Sequence, residues 1–166
     1  MHTYCLFCET QRCAVISYIL ENSFGVRAIM PRIIQRKWVK GSYTDIVRSW
    51  LPGYLFLYSE EPIVPYFSVS GILRWVGKEE LQGQDRLFAE KLLRNGGLLG
   101  TVRLAQEGDR CRIDDPFWEN LEGTILKVDR GRKRCCIGFR FDETDRTVWV
   151  GYELVKPENP EILLPE

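Results

Sequence analysis

Apolar residues recur at three- and four-residue spacing in two stretches of the chain, and this period predicts two helices. The first follows Thr10, a residue that can cap a helix, and Gly25 is suited to end it. The second follows Asp85, another capping residue, and ends at Gly96-Gly97. The other short apolar or β-rich runs of the first hundred residues predict strands at 3–8, 26–39, 43–50, 51–59 and 72–77. This order predicts an α+β domain of ferredoxin-like arrangement, with the helices on one face of a mostly antiparallel sheet.

The second half of the chain has a different pattern. It lacks a helical period, and short strands separated by Gly, Asp and Asn are predicted at 109–113, 123–129, 133–141 and 147–151. Strands spaced in this way are typical of a small barrel. We therefore expect four segments along the chain: a first domain at 1–98, a linker at 99–107, a barrel at 108–156 and a tail at 157–166.

Charge is balanced over the whole chain, with 23 basic and 23 acidic residues, but it is not evenly distributed. Residues 27–48, predicted as a hairpin, and residues 127–140 each carry six basic side chains against one acid. Two explanations remain open for these segments. They are either ordinary solvated hairpins or local attractors of phosphate.

No apolar run approaches the roughly 20 residues that a membrane-spanning helix requires. The first residues also lack the basic-then-apolar layout of a signal peptide. The hydrophobic fraction of 45% is that of a folded globular chain and excludes a disordered protein. We expect a soluble, cytoplasmic monomer with no membrane partner.

Six cysteines raise the question of a metal site. Cys5 and Cys8 form a CxxC pair, but on a strand they point to opposite faces and cannot close on one ion. The adjacent pair Cys135 and Cys136 is divided in the same way, and His2 is the single histidine. We therefore expect neither a metal nor a cofactor, and we expect the cysteines to serve as small apolar residues.

No arrangement of residues in the sequence indicates catalysis. A Ser-His-Asp or Cys-His set would require His2, which lies at a terminus that is expected to fray. The sequence also has no Gly-rich phosphate loop and no HExxH motif. We expect a protein that is not an enzyme.

Aromatic residues alternate with leucines in the strand predicted at 51–59. The period of two places Tyr54 and Phe56 on one face of the sheet and Leu55 and Leu57 on the other. Periodicity does not decide which of the two faces lies under the helices. If the leucines do, the aromatic side chains lie on an open face that requires a partner.

The strand motif and the second half together resemble the NusG family of transcription elongation factors. The segment LPGYLFL at 51–57 is similar to the family's (F/L)PGY(L/V)F(V/L) strand, and TYCLFCET is similar to its first strand. Three short patterns of the second half resemble the KOW motif: Gly108, Asp109 and Ile113; Pro116 and Phe117; and Gly123, Ile125, Val128 and Asp129. The resemblance implies a NusG-type domain followed by an SH3-like KOW barrel.

The resemblance also implies partners. In the family, the open aromatic face docks on the clamp helices of the largest RNA polymerase subunit. The matching residues here are Phe7, Pro52, Tyr54, Phe56, Leu73 and Trp75.

Relatives contact non-template DNA near the first helix, and their KOW barrel recruits a ribosomal protein or Rho. The barrel positions that match are Phe117 and Trp118. The candidates for contact with non-template DNA or nascent RNA are Arg12 and, from the two basic segments, Arg36, Lys37, Lys40, Arg132, Lys133 and Arg134.

Some positions depart from the family pattern. Asp115 stands where a glycine usually precedes the PF pair, and the segment 62–68 is short where relatives reach the opposite side of the polymerase cleft. These departures resemble a specialised paralogue of the LoaP type, an operon-specific antiterminator. The resemblance implies a factor that binds RNA polymerase and modulates pausing or termination. Two alternatives are a stand-alone RNA-binding protein, which uses its sheet aromatics and its basic hairpins, and a ribosome-associated KOW protein.

Overall fold

The computed structural model describes residues 1–63 and 69–155. In these ranges the fold is α+β and mostly β, as predicted. The strands are β1 (His2–Cys8), β2 (Arg27–Ile29), β3 (Arg32–Val39), β4 (Ser42–Ser49), β5 (Tyr54–Ser59), β6 (Ile72–Trp75), β7 (Leu98–Leu99), β8 (Val102–Glu107), β9 (Arg110–Ile113), β10 (Thr124–Asp129), β11 (Arg134–Phe141) and β12 (Thr144–Val155). The helices are α1 (Cys13–Phe24) and α2 (Gly83–Arg94). The predicted tail and most of the segment 62–68 lie outside the described residues.

The strands form three sheets. The first has four antiparallel strands in the order β2-β5-β1-β6, and the second has three strands in the order β4-β3-β7. The third has five strands in the order β10-β11-β12-β8-β9. Strand β8 pairs in parallel with β12, so most of the segment predicted as a linker at 99–107 is a strand of this sheet.

The two helices lie on opposite faces of the four-stranded sheet, so the expectation that both lie on one face was wrong. The buried side of α1 packs with Leu55 and Leu57 of β5. The buried side of α2 packs with Phe56 and Tyr58, and the Tyr58 hydroxyl donates a hydrogen bond to the Ala89 carbonyl of α2. Since consecutive residues of a strand point to opposite sides, these two contacts cannot share a face.

The helix ends differ in part from the prediction. Gly25 ends α1 in the left-handed conformation with φ of 63°, as expected. Thr10 does not cap a helix but begins a 3-10 turn that precedes α1. Asp85 lies in the first turn of α2 rather than at its N-cap, which is Gln82. Within the described residues, no helix is long and apolar enough to cross a membrane.

The predicted hairpin is confirmed as β3 and β4, which pair from Val39 opposite Ser42 back to Arg32 opposite Ser49. Its turn consists of Lys40 and Gly41, both with positive φ. Strand β3 is separated from β2 at Pro31, where the predicted single strand 26–39 is interrupted.

Candidate functional site

The aromatic residues of β5 face the five-stranded sheet. Tyr54 is 6% exposed and Phe56 is fully buried. Their alternation with Leu55 and Leu57 is as predicted, and the leucines do lie under a helix. The expectation of an open aromatic face was wrong, however, because α2 and the second half of the chain cover it.

The contact between the two halves is an aromatic cluster. Phe56 packs against Phe141 of β11 with ring centroids 5.4 Å apart. Phe88 of α2 stacks on Phe139 at 5.7 Å with an interplanar angle of 9°. Trp50 meets the edge of Phe139 at 5.6 Å. Each such pair contributes about 0.5–1.5 kcal/mol beyond the burial of its area, so the cluster holds the halves together.

A polar network lies beside this cluster and centres on Asp142, in the turn between β11 and β12. The Tyr54 hydroxyl donates to Asp142 Oδ2 at 2.9 Å and accepts from Arg146 Nη2 at 2.6 Å. Arg74 of β6 forms an ion pair with the same carboxylate. The Asp142 backbone N–H donates to Asp85 Oδ2 at 3.3 Å. The network therefore joins β5, β6 and α2 to one turn of the second half.

The two carboxylates of the network have opposite pKa shifts. Burial alone would raise the pKa of Asp142, but hydrogen bonds from Arg74 and Tyr54 and the charge of Arg146 outweigh it and lower the pKa. Burial raises the pKa of Asp85, and the neighbouring Asp142 charge adds to this effect. Burial and then the hydrogen bond to Asp142 raise the pKa of Tyr54, so its hydroxyl keeps its proton.

The other four residues predicted to bind polymerase do not all lie on the face of Tyr54 and Phe56. Phe7 is half-buried and packs on Tyr54, with ring centroids 5.0 Å apart. Pro52 and Leu73 are exposed. Trp75 packs among the side chains under α1, on the opposite face of the sheet, so its predicted place beside the aromatic pair was wrong.

Phe117 and Trp118, the residues predicted to recruit a partner, are buried at 4% and 3% exposure. In the packed arrangement neither ring is accessible to a partner, because both belong to the aromatic cluster between the halves. Asp115 fixes this turn. Its carboxylate accepts from the backbone N–H groups of Phe117 and Arg103, both at 2.9 Å. Asp115, the departure from the family pattern, therefore has a local structural role.

The two basic segments meet in one groove. One wall is the β3–β4 hairpin, and the other is the β10–β11 turn with β12. The Gln35 side chain donates to the Trp149 carbonyl across the junction at 3.5 Å. The cavity measures about 630 Å³ and is lined by the basic residues Arg36, Lys37, Arg48, Arg132, Lys133 and Arg134, and by one acid, Asp45. Five of the seven predicted nucleic-acid contacts are thus brought together.

The other two predicted contacts lie elsewhere. Lys40 occupies the turn of the β3–β4 hairpin and does not line the groove. Arg12 lies at the start of α1 and donates to the Ser70 carbonyl at 3.4 Å. The groove is therefore a separate surface from the region of Arg12.

Aromatic rings that the sequence analysis did not single out lie among the basic residues of the groove. Trp38 is 63% exposed and Tyr43 is 53% exposed, and they pair across the hairpin with ring centroids 4.8 Å apart. On the opposite wall, the Arg134 guanidinium lies over the Trp149 ring at 4.7 Å. The signal was present in the sequence, since Trp38 and Tyr43 stand within the basic segment 27–48.

The cysteines occupy the predicted faces. Cys5 belongs to the core on the α2 side, whereas Cys8 belongs to the core under α1. Burial raises the pKa of Cys8 to about 12, which keeps the thiol protonated. In the described part of the chain, no group of three His, Cys, Asp or Glu side chains could hold a metal ion.

No protein-family model matches the chain, and a search of curated proteins finds no match either.

Proposed function

We propose that this protein is a transcription elongation or antitermination factor that binds RNA polymerase and modulates pausing or termination. The observation that carries the proposal is the position of the segment LPGYLFL. It supplies β5, an inner strand of the four-stranded sheet, and directs Tyr54 and Phe56 to one face. The proposal includes the finer architecture, in which the first half is a NusG-type domain and the five-stranded sheet is a KOW barrel of SH3-like type.

Docking through this face requires the two halves to part, because Tyr54 and Phe56 are buried between them. The contact has an aromatic centre and a charged rim, as protein–protein interfaces do. The Arg74 side chain of the rim is 48% exposed, so solvent reaches its ion pair with Asp142. Parting would also uncover Phe117 and Trp118 for the ribosomal protein or Rho that the barrel is proposed to recruit.

The proposed mechanism forms and breaks no covalent bond. The factor would act by binding the closed, elongating polymerase more tightly than the paused one. A tenfold shift between the two states requires a difference in binding free energy of about 1.4 kcal/mol. Only molecules with parted halves can bind polymerase. The apparent affinity is therefore lower than the intrinsic affinity, in proportion to the fraction of molecules that are parted.

The test is terminator read-through by purified RNA polymerase, with and without the full chain, together with capture of polymerase by the chain. We expect added protein to change read-through. Leu73→Glu, at an exposed docking position, should weaken polymerase capture by about tenfold or more. The matched control is Leu126→Glu, since the two leucines are 57% and 53% exposed. Unchanged read-through at saturating protein, with no polymerase captured, would overturn the proposal.

The first alternative, an RNA-binding protein that stacks bases on its sheet aromatics, fits this arrangement poorly. Phe56 has no exposed surface, and the Tyr54 hydroxyl is engaged by Asp142 and Arg146. In the packed arrangement, rings in such positions cannot accept a base, so this alternative requires the same parting of the halves as polymerase docking does.

A further inference from the structure

Neither half of the chain builds the basic groove alone. The hairpin wall belongs to the first half, and the wall of β12 and the β10–β11 turn belongs to the second. The second wall is held in shape by Asp129, whose carboxylate accepts from the Arg132 backbone N–H at 3.1 Å. The Tyr152 backbone N–H donates to the Lys133 carbonyl at 3.0 Å and ties the turn to β12. The groove therefore forms only when the two halves of the chain pack together.

The groove concentrates positive charge on a chain whose net charge is zero. Arg36 is paired with Asp45 at 3.7 Å, and Arg134 with Asp129 at 3.5 Å. Among the described residues, no acid lies within ion-pair distance of Lys37 or Lys133, one on each wall. Unpaired basic side chains that converge on a concave surface attract polyanions.

Exposed aromatic rings define which polyanion fits. The Trp38 and Tyr43 rings stand exposed beside Arg36, whose guanidinium lies 6.0 Å from the Tyr43 ring centroid, and exposed rings are costly for a face that water alone covers. Every nucleobase can stack on such a ring, and a basic surface beside the rings can follow the phosphate backbone. The bases of a duplex are already stacked on one another, so the rings favour unpaired bases.

We propose that this groove binds single-stranded nucleic acid, with phosphates held by Lys37 and Lys133 and with bases stacked on Trp38 and Tyr43, on the opposite side of β3 from Lys37. Because the ligand contacts both walls, it binds the packed arrangement of the two halves. The inference does not rest on polymerase binding, and it concerns a surface distinct from the β5 face.

The first test is fluorescence anisotropy of the full chain with labelled oligouridylate and oligothymidylate of about ten nucleotides. Lys37→Ala and Lys133→Ala each remove one cation from one wall. We expect each to weaken binding several-fold and to lower the slope of log K against log salt by about 0.7. The matched control is Lys127→Ala, an exposed lysine of the same basic segment that does not line the groove, and it should leave the slope unchanged.

The second test separates stacking from charge. Trp38→Ala should weaken binding about tenfold with the salt slope unchanged, whereas Trp38→Phe should retain most of the affinity. Trp38 is an exposed residue, and circular dichroism of each variant verifies the fold. Comparison of the two oligonucleotides distinguishes RNA from DNA as the source of the strand.

Three results would overturn the inference. One is a duplex of equal length that binds as tightly as the single strand. Another is an equal loss of affinity in Lys127→Ala. The third is a loss of affinity in the variants of one wall only, which would show that the two walls do not bind the ligand together. All three are measured without polymerase, so they are distinct from a failure of the read-through test.

Discussion

Two carboxylates meet where the halves of the protein touch, and they are held in opposite ways. Asp142 receives the Tyr54 hydroxyl and the Arg74 guanidinium, so its ionised form is stabilised and its pKa is lowered despite burial. Asp85 receives one backbone N–H, from residue 142, and its pKa is raised chiefly by burial. One carboxylate therefore strengthens the folded protein as its anion, and the other weakens it.

Replacement of Asp85 by asparagine should stabilise the protein at neutral pH. The pKa of Asp85 is higher in the folded state than in the unfolded state. Its contribution to stability is therefore fully present at pH values below the pKa of the unfolded state, and it is lost as the pH rises through the pKa of the folded state. Asparagine keeps an acceptor for the residue-142 N–H and carries no charge. We expect a higher free energy of unfolding by urea for Asp85→Asn near pH 7 and a difference that shrinks toward about pH 3.

The control is Asp109→Asn, an exposed aspartate in the turn between β8 and β9, which should change the unfolding free energy by no more than about 0.5 kcal/mol. A stabilisation by Asp85→Asn that persists unchanged in acid would contradict the assignment of its cause to ionisation. Sequence reasoning placed Asp85 at a helix cap, because its partner lies 57 residues away and no local pattern reveals that contact.

Alternation along a strand predicts pairs of faces but not what covers each of them. It correctly separated Tyr54 and Phe56 from Leu55 and Leu57. It could not decide which face stays open, because a period of two looks the same in a strand covered on one side and in a strand covered on both. Here α1 covers one face, while α2 and the second half cover the other. Whether a segment is a helix or a strand could be predicted from neighbouring residues. Which elements pack on each face of a strand depends on contacts between residues that are distant in sequence.

The turn that carries Trp118 depends on the glycine that follows it. A Cβ atom at Gly123 would lie 2.7 Å from Cε3 and 3.0 Å from Cζ3 of the Trp118 ring. We expect Gly123→Ala to displace this ring from the aromatic cluster and to lower the free energy of unfolding by about 1–3 kcal/mol. Urea denaturation measured by tryptophan fluorescence checks the value.

The matched substitution is Gly100→Ala, where a Cβ atom would meet nothing within 4 Å. Neither glycine has a positive φ, so the comparison isolates the steric effect of the added methyl group from backbone strain. Equal effects of the two substitutions would show that Trp118 adapts freely, contrary to the close packing of the cluster.

At the scale of the whole molecule, the two basic segments could be predicted but their meeting could not. Each is a local excess of charge that can be counted along the chain. Their junction involves Gln35 and Trp149, which are 114 residues apart, and it exists because the halves pack together. The same packing buries Tyr54 and Phe56, so it creates the groove and hides the aromatic face at once.

The two proposed ligands therefore compete for the arrangement of the halves. A strand in the groove stabilises the packed form, and polymerase at the β5 face requires the parted form, so the coupling free energy between them is unfavourable and reciprocal. We expect saturating oligouridylate to reduce capture of polymerase by the full chain about fivefold or more. A double variant, Lys37→Glu with Lys133→Glu, should capture polymerase without this sensitivity, which excludes direct effects of the oligonucleotide on polymerase. Capture that rises with oligonucleotide, or that falls equally for the double variant, would contradict a shared conformational equilibrium.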